Sequence, residues 1–259
     1  MRKVKKVLFS GALPVLMGGG GAAAPYDESI ISMFGANLVS YLKLDETSGA
    51  TAADSSGHST AGAYLNVDLA NALMPTKIGG SAPLFGGTDG DAVNWYSAAL
   101  VSNFDPLEGT LIAWVKAHDA GVWTDAAERG ILVIRDDASN RVNIYKAPDA
   151  NTLSFVAAAG GTVKTVADTS LGGSTAWFMV GLTWSKTADQ VKAYINGSQV
   201  GDTQTGLGIF VGPIIDGRCN VGASVTTSAA WNGWIGHAIL LIRVATPTEM
   251  GLVWSLGNP

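Results

Sequence analysis

Three histidines, five glutamates, a set of turn aspartates and one cysteine are the side chains of this 259-residue chain that could do acid–base, metal or nucleophilic chemistry. Glycoside hydrolysis needs two carboxylates about 5–9 Å apart across the scissile bond. Glu28, Glu46, Glu108, Glu128 and Glu249 fall near the ends of elements, in turns or in the leader, and do not alternate along one strand. His58, His118 and His237 lack a metal spacing such as His-Glu-x-x-His. His58 and His118 read as exposed loop residues, and His237 as a partly buried one. Ser55 and Ser56 beside Gly57 do not form a Gly-x-Ser-x-Gly elbow. Cys219 has no partner for an intramolecular disulfide and reads as a small buried strand residue. These patterns predict a protein that is not an enzyme.

Calcium takes several hard oxygen ligands. Asp54, Asp89 and Asp91 lie in Gly-rich turns and could supply some of them. Aspartates in such turns usually cap their own backbone, so no cofactor is expected and a calcium site is not favoured. Aromatic rings are the remaining candidates for ligand contact, because sugars stack on flat apolar faces with polar handles nearby. Trp95, Tyr96, Trp123, Tyr64 and Trp231 lie in or beside loops rich in Gly, Asp and Asn, and are the candidate ligand-binding residues. Trp114, Trp177, Trp184 and Trp234 lie within apolar strands and are expected in the core.

The elements that must position these groups are short strands. Val191, Ala193 and Ile195 alternate with Lys192 and Tyr194, the period of a half-buried strand. Asn196-Gly197 then offers the two positive-φ residues of a type I′ hairpin turn. Further strands are expected at 38–44, 109–116, 131–135, 142–146, 152–157, 163–167, 177–184, 219–223 and 234–244. Residues 82–93 read as strand, tight turn, strand. The strand around 177–184 is apolar on both faces and reads as central. A short helix is expected over 27–34, ended by Gly35, and a second begins at Thr246-Pro247 with Thr246 as its cap. Many strands between Gly-rich turns argue for a two-sheet sandwich.

Apolar residues make up 47% of the chain and charged residues 14%, where about 25% is usual, so the core is large or other chains cover the surface. The net charge is −5 and no basic run follows the first six residues, which argues against a nucleic-acid partner. Residues 1–25 are a basic start, an apolar run interrupted by Gly11 and Pro14, and a small-residue segment ending at Ala24. The run is too short for a bilayer span of about 20 residues. The order resembles a cleavable secretory signal, but Pro25 lies just beyond the best cut site. A retained assembly arm is the favoured reading, with Val7, Leu8, Phe9, Leu13, Val15 and Leu16 as its buried contacts. Residues 26–37 then form a short helical connector, and residues 38–259 the sandwich.

Several blocks, in order, resemble the laminin-G-like group of the concanavalin A-like jelly rolls. They are Tyr41 to Gly49 followed by Asp54 to Gly57, Leu84 to Val93, Thr110 to Lys116, the hairpin from Trp184 to Val200, and Trp231 to Ile235 followed by Ala245 to Trp254. The resemblance implies an all-β, concanavalin A-like jelly-roll β-sandwich that binds or adheres. The glucanases of that fold carry their carboxylates on one strand as Glu-x-Asp-x-x-Glu, and that motif is absent here. Many relatives have an acidic pair after the position matching Ile235 that helps hold a structural calcium; here those positions are Gly236 and His237. Tyr26 through Gly57 looks like segments common in phage structural proteins. The implied role is a non-catalytic virion decoration or adhesion protein, with other virion subunits and a cell-surface glycan as partners. The alternative is a secreted bacterial carbohydrate-binding module. Removing residues 1–25 should leave a folded, soluble sandwich that no longer incorporates into particles. Incorporation at normal occupancy would place the assembly contact in the sandwich itself.

Overall fold

A computed structural model describes residues 24–149 and 151–258. The expected arm contacts, Val7, Leu8, Phe9, Leu13, Val15 and Leu16, lie outside the described residues. Helix α1 (Tyr26–Phe34) and a 3-10 turn (Gly35–Asn37) lead into β1 (Leu38–Leu42), β2 (Thr51–Ala52), β3 (Gly62–Leu65), β4 (Asp68–Leu73), β5 (Ser81–Gly86) and β6 (Ala92–Asn94). Helix α2 (Ala98–Asn103) precedes β7 (Glu108–Ala117), β8 (Arg129–Arg135), β9 (Arg141–Lys146), β10 (Leu153–Ala159) and β11 (Thr162–Asp168). The chain continues through β12 (Phe178–Ser185), β13 (Gln190–Ile195), β14 (Ser198–Gln204), β15 (Cys219–Val221), β16 (Asn232–Leu241) and α3 (Pro247–Gly257). No described helix is long and apolar enough to cross a membrane.

These strands form two antiparallel sheets of eight. The first runs β14-β13-β12-β7-β16-β5-β4, with β1 also paired to β16. The second runs β11-β10-β9-β8-β15-β6-β3-β2. Residues 82–93 do form strand, turn and strand, but β5 joins the first sheet and β6 the second, so the turn is a crossing between sheets. Two local signals act as their chemistry dictates. Asn196 and Gly197 both take positive φ, 50° and 77°, between β13 and β14. Thr246 caps α3 in a capping box with Glu249, with Pro247 in the first turn.

Between the sheets lies the main core. Leu111, Ala113 and Val115 of β7 and Val180, Leu182 and Trp184 of β12 pack with Ile134, Val142, Ile144, Phe155 and Val221 of the second sheet. The first sheet is apolar on its outer face too. Ile112, Trp114, Met179, Tyr194 and Ile239 form a second cluster with Tyr26, Ile30 and Phe34 of α1 and Met250 and Val253 of α3. Every position of β12 is therefore buried, as its two-faced apolar sequence predicts. Helix α3 closes onto it at Gly181, where a side chain would overlap Met250. Helix α1 is thus a covering layer, spaced by Tyr26, Ile30 and Phe34 at helical intervals.

Polar groups lock both layers. Trp114 Nε1–H donates to Tyr26 Oη (2.8 Å) beneath α1. Beside them, a bulge between Gly236 and Ile239 of β16 turns His237 to φ 53° and buries it. Its ring stands edge-on to Tyr26, with centroids 5.0 Å apart. Tyr41 Oη lies 2.6 Å from His237 Nδ1 and is hydrogen-bonded to it, and burial keeps the phenol protonated. At the loop before β8, the fully buried Lys146 ammonium donates to Asp125 Oδ1 (2.9 Å) and the Ala127 carbonyl (3.0 Å). Asp125 also pairs with Arg129 (2.6 Å), so this buried cation is matched and hydrogen-bonded.

Burial pushes His237 down to about 4, below the ordinary imidazole range. The unfolded chain therefore binds the extra proton first as pH falls. His237 contributes stability that is complete above pH ~6.5 and lost as pH falls through 4, about 3 kcal/mol by pH 4. Denaturant unfolding from pH 7 to 4 should show this loss. His237→Asn, which tolerates the positive φ, should flatten the profile across that window. An unchanged slope in the variant would mean that His237 is not the titrating group.

Candidate functional site

Three of the sequence-predicted ligand residues are core residues. Trp95, Trp123 and Trp231 are each 0% exposed. Trp95 Nε1–H donates to Ser40 Oγ (2.8 Å), Trp123 Nε1–H to the Ser174 carbonyl (2.7 Å), and Trp231 Nε1–H to the Lys116 carbonyl (3.2 Å). Trp123 and Trp231 meet edge-on. The expectation of ligand contact is corrected for these three, because no ring face reaches solvent. Loops crossing the ends of a sandwich need apolar anchors, and these indoles fill that role with their N–H groups satisfied. Tyr64 is also buried, its hydroxyl on Glu46 Oε2 (2.5 Å). Tyr96 is half-buried against the core. Conversely Trp177 and Trp234, expected in the core, are half-buried beside β4. Trp234 stacks on His118 (5.5 Å) and donates to Asn71, while Trp177 donates to the Leu73 carbonyl.

The three aspartates are spent on backbone. Asp54 accepts from Tyr41 N–H (3.0 Å), Ser56 N–H (2.9 Å) and Thr60 N–H (3.1 Å). Burial opposes its ionisation, yet these hydrogen bonds hold it below the usual carboxylate range. Asp91 accepts from Gly86 N–H (2.9 Å) and Thr88 N–H (3.3 Å), and Asp89 from Ala229 N–H (2.9 Å). Among the described residues no three His, Cys, Asp or Glu side chains gather as a metal site. Cys219 is buried, and burial pushes its thiol up to about 12, so it stays protonated.

The outer face of the second sheet is different. Strand alternation puts Val142 and Ile144 of β9 in the core and turns Arg141, Asn143 and Tyr145 outward. The ladder places Val133 opposite both Asn143 and Asn220, and Arg135 opposite Arg141. Asn220 in turn faces Asn94 of β6. A cleft of about 240 Å³ opens here, lined by Glu128, Val133, Arg135, Ala138, Arg141, Asn143, Tyr145 and Ser224. Three buried polar atoms of this face have no protein partner: Arg135 Nε, Asn143 Oδ1 and Asn220 Oδ1. Buried polar atoms are rarely left unpaired, and two of these residues, Arg135 and Asn143, line the cleft. Burial first, then the charges of Arg218 and Arg141, hold the Arg135 guanidinium below its ordinary range. The chain thus has a spatial basic cluster that its linear sequence does not display.

A second cleft of about 210 Å³ lies on the outer face of the first sheet and is lined by Glu108, Thr183, Ser185, Ala188, Gln190, Lys192 and Val244. There the Ser185 hydroxyl already accepts from Ala188 N–H (3.1 Å). The unpartnered arginine and asparagine atoms favour the second-sheet cleft as the site.

Two antiparallel sheets, one covered by helices and one with an open polar face, define a jelly-roll sandwich. The family model described as the concanavalin A-like lectin/glucanases superfamily matches residues 85–250, and the chain belongs to that laminin-G-like family. No curated protein matches the sequence. Among solved structures, the botulinum neurotoxin DC binding domain in complex with rat synaptotagmin II superposes with a TM-score of 0.59 at 15% identity, covering 86% of this chain and 52% of that one. The CBM40 of Ruminococcus gnavus IT-sialidase, bound to α2,3 sialyllactose, gives 0.53 at 14% identity, covering 66% and 93%. Trypanosoma rangeli sialidase in complex with sialic acid gives 0.59 at 15% identity, covering 86% and 34%. The chain spans about half the length of the neurotoxin binding domains it matches. These likenesses are likenesses of fold.

With the turn aspartates engaged by backbone donors, calcium should add little to stability. A ligand at 100 times its dissociation constant adds about 2.7 kcal/mol. Thermal melts in EDTA and in millimolar calcium should nearly coincide. A rise of several degrees with calcium would show that Asp54, Asp89 or Asp91 holds the ion after all.

Proposed function

We propose that this protein is a non-catalytic, lectin-like binding module that holds a glycan on the outer face of the second sheet. The observation that carries this reading is the pair of unpartnered atoms Arg135 Nε and Asn143 Oδ1, whose residues line one cleft on the sheet face that α1 and α3 leave open. Side-chain amides and a tyrosine ring suit hydroxyl groups and a sugar face. Sialyllactose and sialic acid in two structural neighbours support a saccharide as the ligand class. The module works without a metal cofactor. Catalysis is disfavoured because each cleft is lined by one carboxylate, Glu128 or Glu108, where glycosidases use a pair.

The module serves as a decoration or adhesion component of a virus particle, with other virion subunits as partners. The resemblance of Tyr26 through Gly57 to segments of phage structural proteins supports this placement. The basic, apolar, then small-residue order of residues 1–25 favours a second reading, a secreted carbohydrate-binding module. An intact mass of the native protein separates the two.

On a glycan array the full chain should give discrete signals that Asn143→Ala reduces at least about tenfold, since it removes an acceptor that a bound hydroxyl would need. The same protein should release no product from β-glucans, galactans or chitin. Array signals untouched by this variant would place the site elsewhere. Turnover lost on mutating Glu128 or Glu108 would make the protein an enzyme.

A further inference from the structure

The arginines of the second sheet stand in a row. Arg135 and Arg141 are direct cross-strand partners on β8 and β9. Arg218 immediately precedes Cys219, which pairs with Ile134, so it lies on the other side of Arg135. Like charges set directly opposite destabilise a sheet. No carboxylate forms an ion pair with any of the three among the described residues. Glu128 and Asp137 are near enough to Arg135 to offset part of the repulsion. Asp137, however, is turned onto Ser139 N–H (2.8 Å) and Asn140 Nδ2 (3.1 Å). Asp216 is likewise taken by Asn94 Nδ2 (3.0 Å) and Gly217 N–H (2.8 Å). Arg218 donates to the Asp136 carbonyl, which orients it but does not neutralise it. The fold therefore keeps three guanidinium groups together, at a cost, where two of them line a cleft.

We propose that this arginine row is an anion subsite that takes the carboxylate of an acidic sugar residue, an assignment that rests on the lectin-like reading above. Planar guanidinium groups match a carboxylate with paired hydrogen bonds, and a bound carboxylate would relieve the repulsion between Arg135 and Arg141. The next outward position of β9 is Asn143, about 7 Å along the strand from Arg141. Asn143 lines the cleft, and its unpartnered Oδ1 suits a hydroxyl or amide donor on the same ligand. Tyr145, one outward position further, adds a ring at the cleft. A carboxylate, several donors and a compact ring together describe an acidic monosaccharide unit. An acidic peptide fits less well. The cleft sits mid-sheet, with β10 and β11 on one side and β15 and β6 on the other, so a peptide finds no free strand edge to pair with.

Titration calorimetry of the full chain tests this with α2,3-sialyllactose, a glucuronate-bearing disaccharide, lactose, sulfated lactose and a hexaglutamate peptide. At least one carboxylated sugar should bind at least about tenfold more tightly than lactose, and Arg135→Gln and Arg141→Gln should each lose about tenfold or more. Arg141→Lys should retain part of the affinity. The melting temperature of Arg141→Gln should equal or exceed that of the parent, because the substitution removes a like-charge contact. Equal binding of lactose and the acidic sugars, unaffected by the arginine variants, would overturn the carboxylate assignment and leave the lectin reading standing. Tighter binding of sulfated lactose than of the carboxylated sugars would overturn it as well. Binding of hexaglutamate alone, or of none of the probes, would overturn both. A marked fall in melting temperature for Arg141→Gln would show the row to be structural and overturn the proposal.

Discussion

The whole arrangement depends on one constraint: the first sheet is apolar on both faces. β7 turns Leu111, Ala113 and Val115 inward and Ile112 and Trp114 outward, and β12 is buried along its full length. An outer apolar face left in water would forfeit roughly 25 cal/mol for every Å² that could be buried. Helices α1 and α3 meet that demand. The Trp114–Tyr26 hydrogen bond and the Tyr41–His237 pair join polar atoms that the covering layer traps. The buried imidazole stays neutral and makes the layer sensitive to acid.

With both helices drawn to one side, the second sheet is left as the open one. Its β9 strand follows the inside–outside alternation closely, so its outer face is polar: Arg141, Asn143 and Tyr145, each beside core-facing Val142 or Ile144. A polar sheet face facing water is ordinary. This one also lines a cleft with two arginines and an asparagine, where an Arg135 nitrogen and an Asn143 oxygen have no protein partner. Function is argued from that chemistry, since the sandwich itself serves many roles. The large aromatics that a binding site would use elsewhere are here occupied inside. Trp95, Trp123 and Trp231 anchor loops at the sandwich ends through indole hydrogen bonds to Ser40, Ser174 and Lys116.

Local chemistry made much of the fold readable. Asn196-Gly197 specifies its hairpin turn, Gly35 ends α1, Thr246 caps α3, and the two-faced apolar run of β12 marks a central strand. The edge strands β2 and β4 were harder to see, because an exposed or two-residue strand carries little periodic signal. The site was less legible than the fold. Gly-rich flanks suggest open loops, yet at Trp95, Trp123 and Trp231 they mark chain bending around a buried ring. The alternation of Arg141, Asn143 and Tyr145 with Val142 and Ile144 was a usable clue to one polar face. Joining it to Arg135, Arg218 and Asn220 needs the strand order β15-β8-β9, which no local pattern contains.

The central claim is that ligand is held on the open face of the second sheet, away from the helix-covered first sheet. Amide and arginine Nε–H chemical-shift mapping of the ¹⁵N-labelled chain, titrated with sialyllactose, reads this directly. The account predicts perturbations concentrated at Arg135, Arg141, Asn143 and Tyr145, with α1, α3 and the Thr183–Lys192 cleft unmoved. Perturbations centred on Thr183, Gln190 and Lys192, or on Trp177 and Trp234 beside β4, would contradict it.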